Sequence, residues 1–214
     1  MMKKWFALSL LVFMPALASA ATQQVAAAPA PLTLVEGKDY TLVANPTPPA
    51  QPGRVEVREF FWYGCPHCFR LDPFVSAWLQ TKPATVDFIR TPVALSRDWE
   101  ANTRGYYVAE ILNKVDATHK ALFDAIHVRH ERLFDQQSLA GFYSRYGVNP
   151  ANFNGLYQSF PVSGKVAQAR NLAIRYQITG VPTIVVNGKY MVSGETQRTV
   201  DVVKALIARE QARR

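Results

Sequence analysis

Residues 55–68 read Val-Glu-Val-Arg-Glu-Phe-Phe-Trp-Tyr-Gly-Cys-Pro-His-Cys, and this stretch decides the fold of the chain. Its first half is rich in β-branched and aromatic side chains and follows Gly53, which predicts a β-strand. Pro66 suits the first position of a helix, where its missing N–H removes no hydrogen bond. We therefore expect a strand from Val55 and, after it, a helix that runs from Pro66 to about Thr81.

The predicted strand places one acidic side chain among apolar ones. Alternate side chains of a strand point to the same face, so Glu59 shares a face with Val57 and Phe61, whereas Arg58 points the other way. Glu59 is therefore a candidate buried acid. A desolvated carboxyl has a raised pKa and can exchange protons with a nearby thiol. The alternative is an ion-paired carboxylate that takes no part in catalysis.

The two cysteines of the chain, Cys65 and Cys68, lie at the predicted junction of strand and helix. A disulfide that closes so short a loop stabilises a fold by about 2 kcal/mol, against ~3 kcal/mol for a 15-residue loop. Reactivity explains the spacing better, because unpaired N–H groups at a helix N-terminus stabilise a thiolate. His67 can add a hydrogen bond or a positive charge to the Cys65 sulfur. The pattern predicts a redox pair in which Cys65 is attacked and the less exposed Cys68 resolves the mixed disulfide.

Two other uses of a Cys-x-x-Cys pair agree less well with the sequence. A zinc site would need two further ligands, which would have to come from His119, His127 and His130. His127 and His130 lie one helical turn apart, but surface histidines on a charged helix are the commoner case. Covalent haem attachment needs a histidine directly after the second cysteine, where Phe69 stands. The sequence therefore predicts neither a metal nor another cofactor.

The remaining segments predict an α/β fold. A short strand is predicted at Tyr40–Val43, and a strand over Thr85–Arg90 completes a β-α-β unit. Residues 99–177 follow as four or five helices. Two strands then flank Asn187-Gly188, a strong hairpin signal, before a helix over Thr196–Glu210. A Cys-x-x-Cys pair in a β-α-β unit is typical of thioredoxin-like proteins. We predict a thioredoxin-like fold with a central mixed β-sheet and an inserted all-helical block.

The first residues predict export. Residues 1–20 combine Lys3 and Lys4 with an apolar run that ends in Ala18-Ser19-Ala20, the pattern of a cleaved secretory signal peptide. The run is shorter than the roughly 20 residues that a membrane span needs, and disulfides persist in the compartments that exported proteins reach. Without the two lysines, 22 Lys and Arg face 16 Asp and Glu, so the net charge falls from +8 to +6. These charges are scattered, which does not favour binding to nucleic acid.

The predicted organisation has five parts. Residues 21–31 are rich in Ala and Pro, which is typical of a flexible segment, and residues 45–53 form a Pro-rich loop. The parts are a signal peptide (1–20), a flexible lead-in (21–39), the first part of the thioredoxin-like domain (40–92), the inserted helical block (93–178) and the second part of the thioredoxin-like domain (179–214).

These features resemble the DsbA-type periplasmic disulfide oxidoreductases of the thioredoxin-like superfamily. The resemblance is carried by residues 59–68, by Pro73 in the following helix, and by Gly180-Val181-Pro182-Thr183. It also includes the helical block between the third strand and that Val-Pro pair. It implies a protein that introduces disulfides into other proteins.

The resemblance implies roles for the residues of the Cys-Pro-His-Cys segment. Cys65 would be the attacked sulfur, and Cys68 its buried partner in the redox disulfide. His67 would be the chief stabiliser of the Cys65 thiolate. The Pro66-His67 dipeptide is typical of the oxidant branch of the superfamily.

Roles outside this segment follow in the same way. Pro182 would be cis, although trans is the ordinary state of an X-Pro bond, and Val181 would offer backbone hydrogen bonds to an extended substrate peptide. Glu59 resembles the buried acid of the family, whose usual lysine partner is replaced here by Arg90. An arginine cannot give up its proton, so this pairing would be structural.

Three functions remain open from the sequence. The first is a periplasmic, monomeric oxidase that acts on reduced exported proteins and is reoxidised by a quinone-linked membrane oxidase of the DsbB type. The second is an isomerase or reductase on the same scaffold, which would usually carry an N-terminal dimerisation domain. The third is a peptide-binding chaperone module in which the cysteines are incidental.

Overall fold

The computed structural model of the chain describes residues 32–213. The predicted signal peptide (1–20) and the predicted lead-in as far as residue 31 lie outside the described residues. A turn closed by a 2.8 Å hydrogen bond from the N–H of Asp39 to the carbonyl oxygen of Val35 precedes the first strand. Within the described range, no helix is both long enough and apolar enough to cross a membrane.

The centre of the described fold is a mixed β-sheet of five strands in the order β1-β5-β4-β2-β3. β2 and β3 are parallel, and every other pair of neighbours is antiparallel. The predicted thioredoxin-like α/β fold is confirmed. The strands are β1 (Thr41–Leu42), β2 (Val55–Phe61), β3 (Val86–Pro92), β4 (Thr183–Val186) and β5 (Tyr190–Ser193).

Seven α-helices accompany the sheet in the part of the chain that the structure describes. Five of them, α2 to α6, lie between β3 and β4 in the chain, in agreement with the predicted four or five. The helices are α1 (Pro66–Leu79), α2 (Glu100–Ile111), α3 (Val115–His127), α4 (Gln136–Ser144), α5 (Pro150–Tyr157), α6 (Phe160–Arg175) and α7 (Gln197–Ala212).

Two strands end at residues that differ from the prediction. β3 continues two residues beyond Arg90, because Phe61 pairs with Pro92 and the N–H of Val93 donates to the Phe61 carbonyl oxygen at 3.0 Å. Proline is tolerated there because β3 lies at the edge of the sheet, where one side of the strand needs no partner. β1 is shorter than the predicted Tyr40–Val43, since two of its residues pair with β5.

Both faces of β2 are buried, so its side chains divide between two parts of the core. Val55 and Val57 pack with residues of α1 and α7. On the opposite face Phe60 meets Tyr176 edge to face, with ring centroids 5.9 Å apart. The helical block packs against Phe61 and the residues that follow it. β2 therefore leads from the centre of the sheet directly to the cysteines.

Candidate active site

The turn after β2 places Cys65 at the N-terminus of α1. Cys65 is the capping residue of the helix and Pro66 is its first residue, as predicted. The N–H of Cys65 donates to the carbonyl oxygen of Trp62 at 3.1 Å, and the N–H of Phe69 donates to that of Cys65 at 3.1 Å. These two bonds fix the cysteine backbone between the strand and the helix.

Because Gly64 has no side chain, the indole ring of Trp62 can pack directly against its backbone. A Cβ atom at Gly64 would lie 2.3 Å from Cζ2 of Trp62, much closer than two carbon atoms can pack. Trp62 stacks on Trp99 with ring centroids 4.3 Å apart, and its indole N–H donates to Oδ1 of Asn102 at 3.0 Å. The turn that carries Cys65 is therefore held against a fixed aromatic pair.

The two cysteines are free thiols that lie 3.4 Å apart. This separation suits a hydrogen bond between sulfur atoms and is much longer than the about 2.05 Å of a disulfide, so the structure is that of the dithiol form. Cys65 is 6% exposed and Cys68 is 0% exposed. Cys68 is thus the more deeply buried thiol, as expected for the partner that resolves a mixed disulfide.

The surroundings move the pKa values of the two thiols in opposite directions. A hydrogen bond from the Cys68 thiol, supported by backbone N–H groups of Cys68 and His67, lowers the pKa of Cys65 to about 6, although burial opposes this. Burial raises the pKa of Cys68 far above its ordinary value, and the neighbouring Cys65 adds to that effect. At neutral pH, Cys65 is therefore mostly thiolate while Cys68 keeps its proton.

The loop before β4 brings a backbone carbonyl to Cys65. The Cys65 Sγ lies 3.4 Å from the carbonyl oxygen of Val181. The Val181–Pro182 peptide bond is cis. This confirms the expectation drawn from the resemblance; a trans bond would have been the default from the sequence alone. A groove of about 420 Å³ runs beside this loop, lined by His67 and by residues 179–183 and 193–195. Val181, which the resemblance predicts to bind substrate, and the adjacent cis Pro182 therefore border a groove next to the reactive sulfur.

The imidazole ring of His67 is oriented toward a carboxylate that the sequence analysis did not anticipate. The side chain of His67 is 58% exposed, and its Nδ1 lies 2.6 Å from Oε2 of Glu195. Nε of Arg70 binds the same oxygen at 2.9 Å. The Cys65 sulfur is instead hydrogen-bonded by the backbone N–H of His67, with the imidazole adding a favourable charge. The role of His67 as the chief stabiliser of the thiolate stays a prediction.

A chain of buried polar side chains connects Tyr63 to Glu59. The Tyr63 hydroxyl lies 2.9 Å from Nδ1 of His119, and Nε2 of His119 lies 3.1 Å from Oδ1 of Asp72. Arg90 stands between the two carboxylates, 3.5 Å from Asp72 and 3.6 Å from Glu59. The predicted pairing of Glu59 with Arg90 is therefore present, but at a distance longer than a direct hydrogen bond.

Burial determines which of these linked side chains are charged. It raises the pKa of Glu59 to about 7, where Arg90 opposes the shift and Asp72 adds to it. Burial lowers the pKa of His119 to about 4, so its neutral ring donates from Nε2 to Asp72 and accepts the Tyr63 hydroxyl at Nδ1. The pKa of Asp72 is lowered despite burial, because His119 and Arg90 stabilise its anion. Of the three groups Glu59, Asp72 and His119, Glu59 is the one that titrates near neutral pH.

Several residues of the site were missed by the sequence analysis. Asp72 lies one helical turn after Cys68, and that spacing could have identified it. His119 was considered as a zinc ligand alone, yet it is buried against Asp72. Glu195 is 128 residues away from His67 along the chain, and no local pattern indicates their contact.

The other two histidines of the helical block differ in exposure. His127 is partly buried, because its Nε2 lies 2.8 Å from the carbonyl oxygen of Tyr63 and its ring stacks on Phe69 at 4.9 Å. The expectation of a surface histidine is wrong for His127 and right for His130, which is exposed. The two are not one turn apart on a helix, because α3 ends at His127 and His130 lies beyond it with a φ of 57°. Over residues 32–213, no three side chains of His, Cys, Asp or Glu are grouped as a metal site would require.

Thiol–disulfide exchange needs one sulfur that attacks or is attacked as a thiolate, and a second that can leave and return. Cys65 and Cys68 meet this requirement on a thioredoxin-like fold, with pKa values shifted in opposite directions. The protein is therefore a thiol:disulfide oxidoreductase.

Comparison with known proteins gives the family. Residues 85–206 match the family model described as a DSBA-like thioredoxin domain. The chain is 38% identical over 180 residues to the thiol:disulfide interchange protein DsbA of Pseudomonas aeruginosa, covering 82% of this chain and 85% of that protein. It is 40% identical over 184 residues to that of Burkholderia cepacia, covering 86% and 84%. The chain belongs to the DsbA family.

Solved structures agree with this assignment. The crystal structure of Pseudomonas aeruginosa DsbA superposes with a TM-score of 0.79 at 37% identity, covering 84% of this chain and 96% of that one. The crystal structure of the oxidoreductase DsbA from Xylella fastidiosa gives a TM-score of 0.79 at 34% identity, covering 85% and 99%. The similarity therefore extends over nearly the whole length of both solved proteins.

Proposed function

We propose that the protein oxidises pairs of thiols in newly exported proteins, with the Cys65–Cys68 disulfide as the oxidant. The observation that carries this proposal is the position of Cys65 at the N-terminus of α1, 3.4 Å from Cys68, where backbone N–H groups and the Cys68 thiol lower the pKa of Cys65. A stabilised thiolate favours the reduced enzyme, and this makes the oxidised enzyme a stronger oxidant. The relatives that are named thiol:disulfide interchange proteins support the same reaction.

In the proposed cycle, a substrate thiolate attacks Sγ of Cys65 in the oxidised enzyme. The Cys65–Cys68 bond breaks, a mixed disulfide forms, and Cys68 leaves with the electron pair. A second substrate thiolate then attacks the substrate sulfur of the mixed disulfide, and Cys65 leaves as a thiolate. The substrate has lost two electrons and gained a disulfide, while the enzyme holds the two electrons as a dithiol.

We propose that Glu59 supplies the proton that the buried thiol of Cys68 takes up. Cys68 must take up a proton after it leaves, because burial strongly disfavours its thiolate. The charge of Glu59 contributes to the raised pKa of Cys68, and Glu59 itself has a pKa of about 7, so it holds a transferable proton at neutral pH. Arg90 stays charged throughout and can only balance the charge that remains.

We assign substrate binding to the groove beside the cis peptide bond. An extended segment of substrate can pair with the backbone of Val181 while its cysteine faces Cys65, and Pro182 holds that backbone in place. Pro66 begins α1 without an N–H of its own, so the N–H groups of His67 and Cys68 are the ones that reach the sulfur.

We propose the periplasm as the site of action, because residues 1–20 have the pattern of a secretory signal peptide. The reduced enzyme must pass its electrons on, and a quinone-linked membrane oxidase of the DsbB type is the partner that the family suggests. We further propose that residues 40–92 and 179–214 form the thioredoxin-like domain of a monomer, and that residues 93–178 are inserted in it. The five consecutive helices α2 to α6 support this division.

The test is a redox equilibrium in glutathione buffers, read as the fraction of enzyme whose cysteines react with an alkylating reagent. We expect the wild type to oxidise a reduced model protein and the Cys65→Ala variant to be inactive. Full activity of Cys65→Ala in cells would instead favour a chaperone module. A potential near that of thioredoxin, about −270 mV, would refute the oxidase and favour a reductase.

A further inference from the structure

The carboxylate of Glu195 binds two side chains of α1 at the rim of the groove beside Cys65. Its Oε2 lies 2.6 Å from Nδ1 of His67, and 2.9 and 2.7 Å from Nε and Nη2 of Arg70. Nη2 of Arg70 also lies 2.8 Å from Nδ1 of His67. The three side chains form one compact group, the Glu195 cluster, at the first turns of α1.

The ionised carboxylate of Glu195 determines which atoms of the cluster donate hydrogen bonds. Hydrogen bonds from Arg70 and His67 lower the pKa of Glu195, so its carboxylate is ionised. Nδ1 of His67 lies 2.6 Å from the ionised oxygen and 2.8 Å from Nη2 of Arg70, and it cannot donate to one and accept from the other at once. We assign the hydrogen to Nδ1, because an anionic oxygen at 2.6 Å needs a donor, and the contact with Nη2 is then not a hydrogen bond. That N–H is then engaged and cannot be donated to the Cys65 sulfur.

We propose that Glu195 is a positioning residue that holds the His67 imidazole against Arg70 and so limits how strongly the reduced enzyme stabilises the Cys65 thiolate. The inference rests on the proposed oxidase function and deepens it, because it names a side chain outside the Cys-Pro-His-Cys segment that sets the oxidising strength. Glu195 does not contact the reacting sulfur atoms in this role. It acts through His67 and Arg70.

The sign of the effect follows from counting charges. The ionised carboxylate of Glu195 is the negative charge of the cluster, and the guanidinium of Arg70 is a positive charge bound to it. Glu195→Gln removes the negative charge, so the thiolate meets more positive charge than before. Arg70→Gln removes a positive charge, so the thiolate meets less. The two substitutions must therefore move the Cys65 pKa in opposite directions.

The experiment measures the pKa of Cys65 by thiolate absorbance in the full-length protein, together with the equilibrium against glutathione. We expect Glu195→Gln to lower the pKa by about half a unit, the size of a solvent-screened interaction between surface charges. At pH 7 this shifts the redox equilibrium about threefold toward the reduced enzyme. Arg70→Gln should shift both quantities the other way, and Glu195→Lys should exceed Glu195→Gln.

Asp87→Asn is the matched control. Asp87 is also a carboxylate bonded to a guanidinium, at 2.6 Å from Arg54, but it lies at the far end of β3 from the cysteines. We expect it to leave the Cys65 pKa unchanged. A structural role for Glu195 alone would lower stability without producing opposite shifts in the two variants.

The outcomes separate the two proposals. If wild-type enzyme fails to exchange with glutathione, the proposed function fails whatever the variants do. If the wild type exchanges and Glu195→Gln and Arg70→Gln shift the Cys65 pKa in the same direction, or not at all, the inference is overturned. Because screening by 1 M salt weakens interactions between exposed charges, the opposite shifts should also shrink at high salt.

Discussion

Replacement of Glu59 by glutamine should stabilise the folded protein, and should do so more at pH 8 than at pH 4. Burial raises the pKa of Glu59 from 4.5 to about 7. The folded state therefore holds this proton more tightly than the unfolded state, so wild-type stability falls as the pH rises from about 4.5 to about 7. Glutamine has the shape of the protonated acid and does not ionise, so the free energy of unfolding of the variant does not fall over this pH range.

The magnitude follows from the two pKa values. One pKa unit corresponds to about 1.4 kcal/mol, so the difference between 4.5 and about 7 corresponds to about 3 kcal/mol. We expect the free energy of unfolding of Glu59→Gln, relative to the parent, to be higher at pH 8 than at pH 4 by 1 to about 3 kcal/mol. The lower end allows for water entering around the partly paired carboxyl.

Urea unfolding at a series of pH values measures this difference. A Cys65→Ala background under reducing conditions removes the thiol that titrates near pH 6. Asp87→Asn provides a control that responds in a different pH range, because a hydrogen bond from Arg54 lowers the Asp87 pKa from 3.8 and that stabilisation is lost only as the pH falls below about 4. A pH-independent difference for Glu59→Gln would refute the reasoning, and would show that Arg90 keeps Glu59 ionised as a simple ion pair.

Three further predictions concern other parts of the site. The rate of alkylation at Cys65 should rise with pH through a midpoint of about 6, and a midpoint above 8 would contradict the lowered pKa. Gly64→Ala should cost about 1–3 kcal/mol in urea unfolding, because its Cβ meets the Trp62 ring at 2.3 Å, and the cost should shrink in the double variant with Trp62→Ala. His119→Leu removes a hydrogen bond from buried Asp72 and should cost about 1–3 kcal/mol in the same assay, whereas His119→Asn should retain part of it.

The parts of the fold that the sequence predicts well are those with a local cause. A run of β-branched and aromatic residues after Gly53 predicted β2, and Asn187-Gly188 predicted the hairpin of β4 and β5. The end of β3 was predicted two residues too early, at Arg90 instead of Pro92. It continues because Phe61 of the neighbouring β2 supplies the pairing, which no local pattern reveals.

The site divides in the same way. The position of Cys65 at a helix N-terminus follows from a strand, a glycine and a proline that are adjacent in the sequence. The alternation of a single strand correctly predicted that Glu59 is buried, but not that Glu56 on the opposite face is buried as well. The orientation of His67 does not follow from a local pattern, because Glu195 reaches it from a loop 128 residues away. Asp72 and His119 are likewise brought together by the packing of α3 against α1, over 47 positions of sequence.

The burial that raises the pKa of Glu59 affects both the stability of the protein and its catalytic cycle. Cys68 must lose and regain a proton as it enters and leaves the disulfide, so its proton donor has to titrate near the working pH. Glu59 does so because it is buried, whereas His119 and Asp72 titrate too low. The same burial lowers the stability of the fold at neutral pH. Glu59→Gln should therefore be the more stable protein and also the slower one in the step that protonates Cys68, as stopped-flow measurement of mixed-disulfide formation would show. If the variant gains stability at pH 8 with no change in that rate, then the burial of Glu59 lowers stability but Glu59 does not supply the proton to Cys68.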